Sequence, residues 1–502
     1  MQNLARVVYV LLLSAVLTDG VGHSRNSTKY LADEIQYLAS LKVRLTGSPT
    51  HNASQLEGLS FPVFTDELPF TYYKGPLSEP SIILNNGTNL PVASFSTYSG
   101  FTGSAGVSGR LVDITTSTPE EVPDWEQARD AIALTNITNV PIDAADVFRV
   151  WPGSPEWSTG AGTPDISAEG LVRNLTLAAD VGVKAVIYAW QNAATGLVDG
   201  QYAPFHNLYQ GVPTLFVQGS NGMLEDLQAA AANGSHAAVT LEAELQRHQS
   251  ARTIWTVIEG TDLKNESVIL NTHTDGVNII EENGHIALLA YARELAEHPP
   301  RRTTILLFVG QHMHFVAFAQ PPQRATSRWL NTHPELWAGR GQRRAPQYGG
   351  QLKAVAGSCV EHLGAVHWAE DISSDDWYST NQTEPELLYA STAPLNALLR
   401  RHWRDADPNV TRVTDPVDSV PVQGGEGYPF FLADIPNVSL VRNPSYLLKI
   451  WPAAFDEVQL VDLAAVKSQI ESFKRVWRAI DEMSAEDIGE QRKDGLHREL
   501  HT

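Results

Sequence analysis

The sequence cannot form an internal disulfide, since its 502 residues include a single cysteine, Cys359. That residue stands in the apolar run "AVAGSCVEHLG", which predicts a small buried side chain rather than a reactive thiol. Positive charge is also scarce: 36 lysines and arginines face 57 aspartates and glutamates, for a formal net charge of −21. Because such a surface repels phosphate groups, we expect neither nucleic acid nor an anionic membrane as a partner.

Long hydrophobic runs are missing too, apart from one at the N-terminus. The run from Val7 to Leu17 is apolar, follows Arg6, and leads into small and polar residues. It is too short to cross a bilayer as a helix. The pattern predicts a secretory signal peptide over residues 1–22, with a buried N-terminal helix as the alternative.

Motifs for N-linked glycosylation are more frequent than composition explains. Chance gives roughly two or three Asn-x-Ser/Thr motifs in a chain of this length. The ten motifs begin at Asn26, Asn52, Asn86, Asn136, Asn174, Asn233, Asn265, Asn381, Asn409 and Asn437. We therefore expect a secreted, extracellular glycoprotein with N-linked glycans at several of these positions.

The pattern of predicted strands and helices changes near residue 250. Short strand-like runs with turns dominate residues 106–248 and predict a small, mainly β module. After it, apolar strands alternate with helices, which predicts an α/β domain with a mixed sheet covered by helices. The last helix, predicted over residues 457–482, repeats Leu, Ile, Phe and Trp on one face, and we assign that face to the core.

The segment "NTHTDGVNIIEENG" carries the strongest chemical signal. The apolar strand "SVILN" delivers His273 and Asp275 at its carboxyl end, where sites of α/β sheets lie. An imidazole binds zinc through one nitrogen, and a nearby carboxylate orients such a ligand. Glu281 and Glu282 follow just before a helix, where complementing the helix dipole is an alternative role for them.

These motifs bring out a family resemblance that covers residues 30–482. The chain resembles the secreted zinc aminopeptidase and glutamate carboxypeptidase family, in the version with an inserted protease-associated domain. "VRLTGSPTH", "GRLVDI", "EENGHIALLAYAREL", "CVEHLGAV" and "GEGYPFFLADIPNVSLV" are similar to stretches of that family. The resemblance implies a signal peptide (1–22), an N-terminal part (30–105), the insert (106–248), a main peptidase-like domain (249–485) and a polar tail (486–502).

The resemblance also implies site residues and a cofactor. Members hold two zinc ions that activate water for attack on a peptide carbonyl. His273 matches the first zinc histidine and Asp275 its neighbour, while Glu282 and Glu361 fall where metal-binding aspartates belong. One zinc on His273, Glu282 and Glu361 is therefore expected rather than two, with no zinc as the remaining alternative.

The second metal of the family has no matching ligands here. "QHMHF" replaces its glutamate pair, which leaves His314, or His312, as the candidate general base. The last zinc histidine is missing near "NPSYLLKIW". The expected function is metal-dependent hydrolysis of a peptide or small amide, with Asp275 and His314 as catalytic residues. The alternative is a catalytically inactive homologue that acts as an extracellular binding protein.

Overall fold

The computed structural model describes residues 28–41, 49–119, 121–140, 142–143, 145, 148–156, 162–163, 175–202, 209–313, 325–337, 352–403, 411–415 and 425–490. The predicted signal peptide, His314 and residues 491–502 of the predicted tail lie outside these ranges. Among the residues described, no helix is both long enough and apolar enough to cross a membrane.

The helices alternate with strands along most of the chain. They are α1 (Thr28–Leu41), α2 (Pro49–Glu57), α3 (Leu175–Val181), α4 (Thr195–Val198), α5 (Met223–Ala232), α6 (His285–Glu297), α7 (Ala325–Thr332), α8 (Ala393–His402), α9 (Tyr428–Leu432) and α10 (Leu463–Glu482). Within the described ranges, 3₁₀ helices cover Trp125–Ala128, Gly425–Gly427 and Glu457–Leu460.

In the part of the chain that the structure describes, the strands form two large sheets and two small pairs. They are β1 (Phe64–Lys74), β2 (Ser81–Leu84), β3 (Asn89–Leu90), β4 (Ser94–Phe95), β5 (Val107–Asp113), β6 (Ile132–Thr138), β7 (Ile142–Asp143), β8 (Gly162–Thr163), β9 (Ala185–Gln191), β10 (Thr214–Gln218), β11 (His236–Thr240), β12 (Glu244–Ile258), β13 (Leu263–His273), β14 (Arg302–Val309), β15 (Lys353–Val360), β16 (Val366–Asp371), β17 (Asp376–Thr383), β18 (Glu386–Ala390), β19 (Thr411–Thr414) and β20 (Asn437–Leu440).

The first sheet has eight strands in the order β1-β12-β14-β13-β15-β20-β18-β19. Its centre is parallel, because β13 pairs in parallel with both β14 and β15, and β15 pairs in parallel with β20. Antiparallel strands flank that centre on both sides. Helices α1, α6, α8 and α10 contribute buried apolar residues to the core on one face. The predicted α/β class, a mixed sheet covered by helices, is confirmed.

The second sheet also has eight strands, in the order β3-β2-β11-β5-β6-β9-β10-β4. Its strands run from Ser81 to Thr240, so it takes in β2, β3 and β4, which precede the predicted start at residue 106. Strands β5, β6, β9 and β10 are parallel neighbours, and α3 and α5 accompany them. The chain then returns to the first sheet through β12, which pairs with β1.

Helix α10 begins later than the predicted residue 457, because an N-cap fixes its first residue. The Asp462 carboxylate accepts hydrogen bonds from the amides of Ala464 (2.9 Å) and Ala465 (3.1 Å), as an N-cap does. The helix therefore begins at Leu463, while Glu457–Leu460 forms a 3₁₀ turn before it. The predicted core face is confirmed for its central residues: Phe473 and Trp477 are both buried.

Strand β1 is the main element that the pattern did not reveal. Its sequence "FTDELPFTYYK" contains Pro69 and two acids, which count against a central strand. The strand lies at the edge of the first sheet, where proline is tolerated, and most of its residues are exposed or half-buried.

Candidate metal centre

Three neighbouring parallel strands end at one point of the first sheet. Strand β13 ends in His273, β14 is followed by His312, and β15 is followed by Glu361 and His362. Because the carboxyl ends of parallel strands lie at the same sheet edge, the fold brings these side chains together. The loop between β13 and α6 adds Glu281, and the 3₁₀ helix Gly425–Gly427 adds Glu426.

The side chains form two overlapping groups that share His273. One group is His273, Glu361 and His362, and the other is His273, Glu281 and His312; within each, the potential ligand atoms lie within 4.8 Å of one another. Both groups contain two imidazoles and one carboxylate, a set that holds catalytic zinc and leaves a fourth position for water. All five side chains are buried.

The ring orientation of the histidines suits a metal. The Nδ1–H of His273 donates to the carbonyl of Asp275 at 2.8 Å, and the Nδ1–H of His362 donates to the carbonyl of Arg442. His312 places Nδ1 at 2.6 Å from the Glu426 carboxylate. A metal-binding histidine almost always secures its second nitrogen in this way, which leaves Nε2 as the ligand atom.

Several buried atoms at the centre make no hydrogen bond within the described part of the chain. They are His273 Nε2, His362 Nε2, Glu361 Oε2 and Glu281 Oε2. His362 Nε2 and Glu281 Oε2 lie 3.2 Å apart, and His273 Nε2 lies 4.0 Å from Glu361 Oε1. A buried polar atom without a partner costs about 1–3 kcal/mol. A cation bound among these atoms supplies the missing interaction, so the residues present fit a metal ion.

The two groups of side chains are not equally suited to holding a metal ion. In the group of His273, Glu361 and His362, every residue offers an atom without a hydrogen bond among the described residues. His312 of the other group is not among the residues with such an atom. Both groups also need the same His273 Nε2, which has one lone pair, since Nδ1 is bound to Asp275. The geometry therefore accommodates one ion through His273.

The pKa values of the three histidines set His273 apart from the other two. Burial, with the neighbouring His312 and His362, holds the pKa of His273 well below its ordinary value, so the ring is neutral and can bind a metal. Burial lowers the pKa of His312 as well, but the Glu426 carboxylate outweighs it and raises that pKa to about 9. For His362, burial is likewise outweighed by Glu281 and Glu361, and the net pKa is raised.

The Asp275 carboxylate contacts the loop after β14 and not the His273 ring, which the family resemblance gave it as a neighbour. Its carboxylate accepts hydrogen bonds from the amides of His312 (3.1 Å) and Met313 (2.9 Å), and so holds the loop after β14. Only its backbone carbonyl contacts the His273 ring. Burial raises the pKa of Asp275 to about 7, against the lowering effect of His312 and of these amides.

The other sequence-predicted residues are placed as follows. Glu361 lies in the cluster beside His273, and its Oε1 accepts from the Cys359 thiol (2.7 Å) and the Glu426 amide (2.9 Å). Glu282 is buried but belongs to neither group, whereas the adjacent Glu281 does. Metal binding by Glu282 therefore stays a prediction, as does a catalytic role for His314, which the structure does not describe.

Two residues outside the predicted ligand set are part of the centre. Strand β15 ends at Val360 and His362 has φ +60°, so the alternation of side chains along a strand does not separate His362 from Glu361. Glu426 is fully buried in the 3₁₀ helix Gly425–Gly427. The glycines around Glu426 were the available signal for a tight turn at the site.

Comparison with known proteins finds no matching family model and no matching curated sequence. Solved structures do match. A peptidase precursor from Shewanella amazonensis aligns with a TM-score of 0.60 and 13% identity, over 93% of this chain and 97% of that one. A zinc aminopeptidase from Bacillus subtilis has a TM-score of 0.57 and 13% identity, over 92% and 97%.

An aminopeptidase from Aneurinibacillus sp. strain AM-1 gives a TM-score of 0.57 at 13% identity, over 90% of this chain and 93% of that one. The chain has the fold of these aminopeptidases. At such low identity the likeness establishes the aminopeptidase fold alone, and the residues of this chain must carry the functional argument.

Proposed function

We propose that the protein is a peptidase-like hydrolase that depends on a single zinc ion held by His273, Glu361 and His362. One observation carries the proposal: ligand atoms of all three residues converge in a buried space and make no hydrogen bond among the described residues. The aminopeptidase fold supports a peptide or small amide as the substrate.

A zinc ion at this position would lower the pKa of a bound water and polarise a substrate carbonyl. The residues of the chain supply what surrounds that chemistry. Glu426 keeps a proton on His312 Nδ1, and its carboxylate outweighs burial to raise the pKa of His312, which favours the cationic ring. The His312 ring stacks on the His273 ring with centroids 4.1 Å apart, so its charge is placed to stabilise a developing oxyanion.

His312 is the one of the two candidate histidines that the structure describes. In its protonated form, which the Glu426 carboxylate favours, His312 donates a proton rather than accepting one, so it is proposed as a general acid. Asp275 supports it by fixing the backbone of His312 and Met313.

A non-catalytic binding protein is the second candidate, and burial favours it. His312 is the most exposed side chain of the two groups and of Glu426, yet only 8% of its surface is accessible. Tyr446 stands in the segment where the family resemblance predicts the last zinc histidine, and its hydroxyl donates to the Val366 carbonyl at 2.6 Å. A metal held in a site closed to peptides would make the fold a binding scaffold rather than an enzyme.

Metal analysis of purified protein, followed by an aminopeptidase assay with and without chelator, separates the two candidates. Bound zinc with chelator-sensitive hydrolysis supports the hydrolase. Bound zinc without hydrolysis supports the binding protein. The test variant is Glu361→Gln, which removes one charge at the centre. The control is His236→Ala, which removes an exposed histidine of the second sheet. Only Glu361→Gln should lower zinc content.

We further propose that the second sheet is a protease-associated insert and that the protein is secreted and glycosylated. The insert is supported by the position of the second sheet between β1 and β12, which pair with each other in the first sheet. Secretion is supported by the apolar run from Val7 to Leu17 and by the glycosylation motifs. An N-terminal sequence of the secreted protein that begins after residue 22 tests the proposed signal peptide.

A further inference from the structure

Helix α4, which lies between β9 and β10 of the second sheet, is held at both ends by side chains from outside that sheet. They come from the β16–β17 hairpin and from the segment after β20. At its N-terminus, the Ala194 amide donates to the Glu370 carboxylate (2.6 Å), and the Thr195 amide donates to Asp375 (2.7 Å). At its C-terminus, the Lys449 ammonium donates to the carbonyls of Gly196 (3.0 Å) and Asp199. We call these three charged side chains, Glu370, Asp375 and Lys449, the α4 clamp.

The charges of the α4 clamp match the helix they hold. The first amides and last carbonyls of a helix have no partner inside it, and they carry partial positive and negative charge. Carboxylates therefore meet the positive end and an ammonium meets the negative end. Lys449 is buried, and its Nζ lies 5.3 Å from the ring centroids of both Trp377 and Trp451, which compensates part of its lost hydration.

The segment that carries Lys449 also forms a backbone bridge to the second sheet. The amide of Tyr202 donates to the carbonyl of Leu448 (2.8 Å), and the amide of Ile450 donates to the carbonyl of Gly200 (2.8 Å). The side chain and the backbone of this segment thus join the second sheet at the same place.

The opposite side of this segment is tied to the metal centre by Asn278. Its buried Nδ2 donates to the carbonyls of Tyr446 (3.1 Å), Leu447 (2.8 Å) and Lys449 (3.2 Å). Its Oδ1 accepts from the amides of Ile280 (3.0 Å) and Glu281 (3.3 Å). One amide side chain therefore connects the Lys449 segment to the backbone of Glu281.

Glu281 lies at the centre itself. It is not one of the three proposed zinc ligands, but its Oε2 lies 3.2 Å from Nε2 of His362, which is one of them. A continuous series of contacts thus runs from α4 through Lys449 and Asn278 to Glu281.

We propose that Lys449 and Asn278 are positioning residues of the metal centre, and that docking of α4 in its clamp sets the zinc affinity. This inference rests on the proposed zinc site. Two sites joined by such a series of contacts are coupled in both directions: a docked α4 strengthens zinc binding, and bound zinc stabilises the docked α4 by the same factor.

The test compares Lys449→Met with wild type in the full chain. Methionine keeps an apolar chain beside the tryptophans but donates no hydrogen bond to α4. We expect zinc affinity, measured by competition with a chromophoric chelator, to fall roughly 5- to 150-fold, the usual range of such coupling. We also expect zinc to slow hydrogen exchange of the Ala194 and Thr195 amides in wild type, and not in the variant.

Two further variants make the test specific. Asp375→Ala acts on the other end of α4 from a half-exposed hairpin position, so it reports on the clamp even if Lys449→Met fails to fold. Lys184→Met is the matched control, because Lys184 also donates to a backbone carbonyl, that of Ser108 (3.3 Å), but within the second sheet. It should leave zinc affinity unchanged.

The outcomes separate this inference from the proposed function. A wild-type protein that binds no zinc overturns both. A second outcome is that wild type, Lys449→Met and Asp375→Ala bind zinc equally well although the α4 amides of both variants exchange faster. That outcome overturns the coupling and leaves the zinc site standing. A lower urea midpoint with unchanged zinc affinity shows that the clamp is only structural, and also overturns it.

Discussion

Gly425→Ala should disable the metal centre through one added methyl group. Gly425 has φ +63°, and a Cβ built there would lie 2.0 Å from Glu361 Oε2 and 2.7 Å from the Glu361 carboxylate carbon. Real Cβ atoms do not approach that closely, so the Glu361 carboxylate has to move. A metal ligand has to keep its distance to within about 0.2 Å, so this displacement removes Glu361 from the ligand set.

Gly425→Ala should have two separable effects, a loss of folding stability and a loss of zinc affinity. A side chain in the left-handed region costs roughly 1–2 kcal/mol of stability at any such position. Disturbing the support of a ligand lowers metal affinity by about 10- to 100-fold, and loss of the ligand itself by at least that much. Gly87→Ala isolates the first part, because Gly87 has φ +88° and its added Cβ would have nothing within 4 Å.

The assay is a zinc titration by chelator competition, together with urea unfolding, on wild type and both variants. We expect both alanine variants to lose stability and only Gly425→Ala to lose zinc affinity. Equal zinc affinity of Gly425→Ala and Gly87→Ala would refute the placement of Glu361 as a ligand.

Two further predictions concern pH and glycosylation. Burial raises the pKa of Tyr98 to about 12, while the unfolded chain releases this proton near 10, so folding stability should fall as the pH rises from about 10 to 12, by roughly 3 kcal/mol for Tyr98. Urea unfolding across that range should show the loss in wild type and less of it in Tyr98→Phe, whereas Phe at the exposed Tyr378 should not alter the slope. Glycopeptide mapping of the secreted protein should find glycans at the exposed Asn86, Asn233, Asn265 and Asn381 and none at Asn52 or Asn437, which are buried; full occupancy of Asn437 would contradict the fold around β20.

The sequence predicts the α/β architecture well because apolar strands and amphipathic helices follow local rules. Strands β13, β14 and β15 and helix α6 are recognisable from short apolar or periodic runs. Strand β1 is not, because an edge strand is only partly buried and has no apolar signature to show.

The metal centre is predictable in part for a different reason. His273 and Glu361 follow apolar strands, and strand ends of such sheets point to a site. The approach of Glu281 to His362 depends on how a loop turns, and the presence of His362 at the centre depends on one positive φ; neither feature has a sequence period. The pairing of His312 with Glu426 joins residues 114 positions apart, which only the tertiary fold determines.

Zinc stoichiometry tests whether the centre holds a single zinc ion. Wild type and Glu361→Gln, purified in parallel and saturated with zinc, are desalted and analysed for metal by mass spectrometry against protein concentration. The shared His273 Nε2 predicts one zinc per chain in wild type, and substantially less in the variant. Two zinc ions per chain, none in wild type, or equal content in both proteins would contradict the account.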